Sequence, residues 1–157
     1  MAINFDYIIN QIRKLPIDKE VILTSGTALS IYGIGNNYLI EPYTILNDEN
    51  LDSIDLKKYQ IEPISEKIFR EDLYVLGGCQ ITSPGKAMLD QILNGSEGDI
   101  YELLDNIDGT SNERVLKAYI QKYGYQKIML NIMRNNSLQD FQHILDLDYK
   151  NPEVEGI

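Results

Sequence analysis

The chain has 157 residues, 43% of them hydrophobic, and a formal net charge of −10. That size and apolar content suffice for one domain that buries roughly 70% of its unfolded-chain surface without disulfides or a structural metal. The acidic sum argues against general affinity for nucleic-acid backbones, no stretch reaches the ~18 apolar residues of a membrane span, and the first residues carry no basic leader, so a cytoplasmic, non-membrane protein is expected.

Phe5, Ile8, Ile9, Ile12 and Leu15 recur at helical spacing, which predicts a helix over residues 4–15 that Pro16 stops. A short apolar run over 20–23 leads to Ser25-Gly26-Thr27, read as a loop or cap before a brief helix from Ala28 to Tyr32. Gly33 to Asn37 is turn chemistry. Residues 38–40, 43–46 and 59–64 read as strands, with an acidic loop over 47–55 between the second and third. Ile68-Phe69 and residues 73–76 lead into Val75–Ile81, expected as one buried strand containing the single cysteine, Cys79, as a reduced core residue.

Thr82-Ser83-Pro84 is a helix start, with Ser83 as N-cap and Pro84 in the first helical position. The helix runs to Asn94-Gly95, with Ala87, Met88, Leu89, Ile92 and Leu93 inward and Lys86 and Asp90 paired at i,i+4 on the wet side. Further helices are expected over 99–107, from a Ser111 or Asn112 cap to Tyr123, from Tyr125 to Arg134 after a break at Gly124, and from a Ser137 cap to Leu147. Arg114, Lys117 and Gln121 are placed outward on the second of these, and Tyr125, Ile128, Met129, Ile132 and Met133 inward on the third. The expected fold is α/β or α+β: a single domain over residues 1–147 with a small mixed sheet in the first half and a helical C-terminal half. Residues 148–157 are expected as an acidic, loosely ordered tail.

Charge is distributed unevenly. Residues 110–136 hold five basic side chains and one acid, +4, which leaves −14 for the rest, and residues 90–108 hold six acids and no base. A bipolar surface follows, with Arg114, Lys117, Lys127, Asn131 and Arg134 as the candidate face for an acidic protein partner. No residue set is assigned to catalysis, a cofactor or a metal. Gln80–Lys86 lacks the first glycine and the hydroxyl of a phosphate loop, and Gly33-x-Gly35 lacks the third glycine of a dinucleotide turn. Ser25 lacks the flanking glycine of a nucleophile elbow, and His143 falls on the exposed side of its helix without an orienting partner. Asp48, Glu49, Asp52 and Asp55 read as a solvated loop rather than a cation site, and the helix pair hinged at Gly124 reads poorly as a DNA-reading motif.

Two stretches carry a family likeness. Ser25-Gly26-Thr27-Ala28-Leu29-Ser30-Ile31-Tyr32-Gly33-Ile34, followed by Ile81-Thr82-Ser83-Pro84-Gly85-Lys86-Ala87-Met88-Leu89-Asp90, resembles in order and gap the C-terminal domain of the abortive-infection AbiEi family of type IV antitoxins. Gly26, Ala28, Leu29, Gly33, Ser83, Pro84, Ala87, Leu89 and Asp90 are the motif positions, mainly structural ones, and Gly85-Lys86 stand where the family has Glu-Arg. Only 20 residues precede Val21, so the family's winged-helix DNA-binding domain, and autorepression with it, is expected to be absent. The resemblance implies a non-enzymatic antitoxin partnered with a nucleotidyltransferase toxin. Ser25–Leu29 is also similar to the glycine-rich motif of minimal nucleotidyltransferase-like proteins, which implies a catalytically silent relative, since residues 37–46 offer only Glu41 where that chemistry needs an Asp-x-Asp pair for magnesium. A third alternative is an acidic, phage-encoded type of inhibitor acting through Glu97, Asp99, Glu102 and Asp105.

Overall fold

The computed structural model describes residues 5–14, 21–35, 43–46, 55–76 and 79–146. It has a mixed sheet followed by a helical C-terminal half, as the hydrophobic patterning predicts. The elements are α1 (Phe5–Arg13), β1 (Ile22–Leu23), α2 (Ser25–Tyr32), β2 (Tyr43–Leu46), β3 (Ile61–Ile64), β4 (Leu73–Leu76), β5 (Cys79–Thr82), α3 (Pro84–Asn94), α4 (Glu97–Ile107), α5 (Ser111–Tyr123), α6 (Gln126–Asn135) and α7 (His143–Asp146), with 3₁₀ turns at Arg70–Asp72 and Gln139–Phe141. The readings over 38–40, 48–54 and 148–157 lie outside the described residues, as does Leu147.

The sheet has five strands in the order β3-β2-β1-β5-β4. Its two short parallel pairings, β1 with β5 and β2 with β3, are joined by the antiparallel pair β1–β2, where Leu23 lies opposite Ile45. Leu23, Ile45 and Ile81 from the three central strands are almost fully buried. The run expected as one strand from Val75 to Ile81 is instead the antiparallel pair β4–β5, with Leu76 opposite Cys79. Cys79 is buried, while Val75 lies on the edge strand with 73% of its surface exposed.

Helix α3 is the axis of the molecule. Ser83 caps it by accepting from the Lys86 N–H, Pro84 occupies its first turn, and Gly95 follows its end. It packs against α2, α4, α5 and α6, so every residue from Gly85 to Ile92 is buried. Lys86 and Asp90 do pair at i,i+4, but with side chains completely withdrawn from water rather than on a wet face. At Gly85 a Cβ would stand 2.2 Å from the ring of Tyr119, so this glycine is what lets α5 lie so close to α3.

Other boundaries shift for local reasons. Helix α2 starts at Ser25, so Ser25-Gly26-Thr27 is its first turn and not a loop, and Gly33 ends it in the left-handed region at φ 71°. Ser96 and Asp99 close a capping box that starts α4 two residues early, and Thr110 rather than Ser111 or Asn112 caps α5. Ser137 takes a φ of 57°, and the last expected helix breaks into a 3₁₀ turn and the short α7. On α6 Ile128 is not inward: it is 45% exposed.

Candidate functional site

The two motif stretches meet. Strand β1 is followed by Thr24 and then by Ser25, the first residue of α2, and both side chains reach α3: Thr24 Oγ1 donates to Asp90 Oδ2 at 2.6 Å and Ser25 Oγ to Gln91 Oε1 at 2.6 Å. Successive residues of an extended chain point to opposite faces. The φ of 51° at Ser25 turns its side chain to the same side as that of Thr24, and a non-glycine residue held there marks a strained position that its surroundings enforce. Around this point Thr82 Oγ1 donates to Thr24 Oγ1 at 3.0 Å, and Thr27 and Thr44 exchange hydrogen bonds, each backbone N–H donating to the other's hydroxyl at 2.9 and 2.8 Å.

Lys86 Nζ donates to Asp90 Oδ1 and lies 5.1 Å over the Tyr123 ring. Burial pushes the Asp90 carboxyl above its ordinary range, against the Lys86 ammonium and the Thr24 hydroxyl. Of the motif positions, Ala28, Leu29, Ala87 and Leu89 are in the apolar core, Asp90 and Ser83 in this polar seam, Gly33 at the helix end, and Gly26 and Pro84 half-buried beside it. Thr24, Ser25, Ser83, Lys86 and Asp90 all have at most 2% of their surface exposed. Their arrangement holds two segments of chain together and offers no nucleophile to a dissolved substrate.

A second polar cluster flanks the first. Asp72 accepts from Tyr119 at 3.0 Å, Tyr123 at 2.6 Å and Lys122 at 2.9 and 3.0 Å. Burial pushes this carboxyl up, and these donors more than reverse it, so it sits below the usual carboxylate range. Ser83 Oγ donates to the Tyr119 hydroxyl at 3.0 Å, which ties the cluster to the cap of α3. The Asp72 hydrogen bonds, then the neighbouring Glu71, raise the pKa of Lys122.

Only part of the expected basic face is presented. Arg114, Lys127, Asn131 and Arg134 are exposed, the last three along α6 beside Ile128. Lys117 is turned inward, 9% exposed, and bridges Glu113 at 3.1 Å. On α4 the carboxylates of Glu97, Asp99, Glu102 and Asp105 are exposed, as is that of Asp108 just beyond it.

His143 is not without an orienting partner. Its Nε2 lies 2.8 Å from Asp108 Oδ1 and 3.7 Å from Glu113 Oε1. Sequence spacing could not show this, since 35 residues separate His143 from Asp108 and the contact depends on how α7 returns to the α4–α5 corner. Among the described residues no helix is long and apolar enough to cross a membrane. The chain matches no protein-family model, no curated protein and no solved structure.

Proposed function

We propose that this protein is a non-enzymatic, antitoxin-like regulator of a type IV abortive-infection system, which neutralises a nucleotidyltransferase toxin by binding through the basic stripe of α6 and Arg114. The observation that carries this reading is the division of labour between its polar residues. The side chains of the AbiEi-like stretches are used inside the fold, while Lys127, Asn131 and Arg134 stand in water beside the exposed Ile128. A charged rim around an apolar contact suits an acidic protein surface. Lys117 takes no part, because Glu113 already neutralises it.

The test is co-expression with the neighbouring gene in a host cell, with growth as the readout. Growth arrest by the neighbour, relieved by the wild-type chain and not by an Arg114→Glu/Lys127→Glu/Arg134→Glu variant that still folds, supports the proposal. If the neighbour is harmless, or its toxicity is untouched by the wild-type chain, the proposal fails. A second reading, an acidic inhibitor of a nucleic-acid-acting enzyme, draws on the run of exposed carboxylates on α4. It predicts loss of effect on changing Glu97, Asp99, Glu102 and Asp105 to amides, with the basic variant fully active.

A further inference from the structure

The corner between α4 and α5 gathers three metal-ligating groups from three separate elements. Asp108 caps the C-terminal end of α4, Glu113 lies in the first turn of α5, and His143 opens α7. One imidazole nitrogen and two carboxylate oxygens here lie within 4.8 Å of one another. We propose that Asp108, Glu113 and His143 form a three-ligand site for a divalent transition-metal ion of the zinc type, its fourth position open to water. The site is independent of the partner-binding reading above.

The donor set and its spacing argue for this. Imidazole with carboxylates suits borderline ions such as zinc, whereas calcium and magnesium favour shells of oxygen alone. Tetrahedral zinc with bonds of about 2.0–2.1 Å holds its ligand atoms about 3.3 Å apart. The separations from His143 Nε2, 2.8 Å to Asp108 and 3.7 Å to Glu113, fall on either side of that value. Movements of about half an ångström bring both into range, and the Asp108 and His143 side chains, each 45% exposed, are free to make them.

Glu113 is already held in place by its neighbours. Gly109 N–H donates to its Oε1 at 2.8 Å and Lys117 Nζ pairs with its Oε2 at 3.1 Å. Such outer contacts orient a ligating carboxylate, and each oxygen has a second lone pair with which to meet an ion. Exposure of Asp108 and His143 supplies the entry path. A bound ion would join α7, a helix of only four residues, to the corner between two much longer ones.

His143 is the one histidine of the chain, so imidazole signals in a nuclear magnetic resonance spectrum report this site alone. Titration of the full chain with zinc sulfate is expected to show one ion per chain, displaced His143 ring signals and a Tm that rises with zinc concentration. Asp108→Asn and His143→Gln, each shown by circular dichroism to keep its helices, are expected to weaken zinc binding by at least about 10-fold. Absence of zinc binding by the wild-type chain, binding that leaves the His143 signals unmoved, or undiminished binding by both variants would each overturn the proposal.

Discussion

Two aspartates, Asp90 and Asp72, are almost equally hidden from water, 0% and 2% exposed, yet the protein shifts their acidities in opposite directions. Asp90 sits within α3, surrounded by packed helix and sheet, with one ammonium and one hydroxyl to satisfy it. Asp72 lies in a 3₁₀ turn ahead of β4, under a thin layer of side chains, and receives hydrogen bonds from two tyrosines and a half-open lysine. What separates them is depth and the number of donors rather than surface exposure. Deep burial with few donors leaves a carboxylate strained, whereas a shallow site with several donors makes it a fixed negative charge.

Lys86→Met tests the deep site and should have the largest effect, because it leaves Asp90 charged and without its ammonium; a loss of about 3–5 kcal/mol is expected in chemical denaturation. The double variant Lys86→Met/Asp90→Asn should lose less than Lys86→Met alone, since its uncharged amide still accepts from Thr24. A double-mutant cycle showing simple additivity would contradict the coupling described for this pair. Asp72→Asn should cost about 2 kcal/mol, as hydrogen bonds to a charged group are replaced by weaker ones, and Tyr119→Phe about 1 kcal/mol, because Tyr123 and Lys122 still hold the carboxylate. Charge reversal at Arg134, which the fold does not use, should change stability by no more than about 0.5 kcal/mol in the same denaturation series.

Acid titration sharpens the contrast, because the two groups carry opposite signs. The pKa of Asp72 is below its ordinary 3.8 in the folded state, so the unfolded chain binds more protons. Its stabilisation is complete above that value and disappears as pH falls through the folded pKa. For Asp90 the folded pKa lies above 3.8, the native state binds more protons, and acidification through that window adds stability. Thermal melts between pH 6 and pH 2.5 should therefore show the gap between wild type and Asp72→Asn closing, while the gap for Asp90→Asn moves the other way in favour of wild type. Parallel movement of both gaps would show that depth does not separate the two sites.

Local chemistry accounts for what was legible in the sequence. Ser83-Pro84 and Gly33 announce helix ends through interactions within a turn or two, and they stand where the sequence places them. Lys86 and Asp90 were legible as a pair but not as a buried one, because a helical period counts lysine as a wet position. α3 is enclosed on the flank where these residues lie, by contacts with distant segments such as Thr24 and Tyr123. The same ambiguity misplaced Lys117 and Ile128 in opposite senses. The run Val75–Ile81 reads as one strand by its apolar content, whereas Leu76 and Cys79 stand opposite each other in the antiparallel pair β4–β5, a pairing that apolar content does not encode. The corner at Asp108, Glu113 and His143 left no trace in any window, since its members come together only when α7 docks.

The close approach at Gly85 makes two positions one character in any line of descent. A variant that acquires a side chain there has no room for the ring at Tyr119 in its present place, since its atoms begin 2.2 Å from the new Cβ. The tyrosine must then move or give way to something smaller, and either change disturbs the hydroxyl that bridges Ser83 and Asp72. Gly85 and Tyr119 should thus be inherited together or lost together, and a chain with bulk at both would mark a branch in which α5 crosses α3 along a different path.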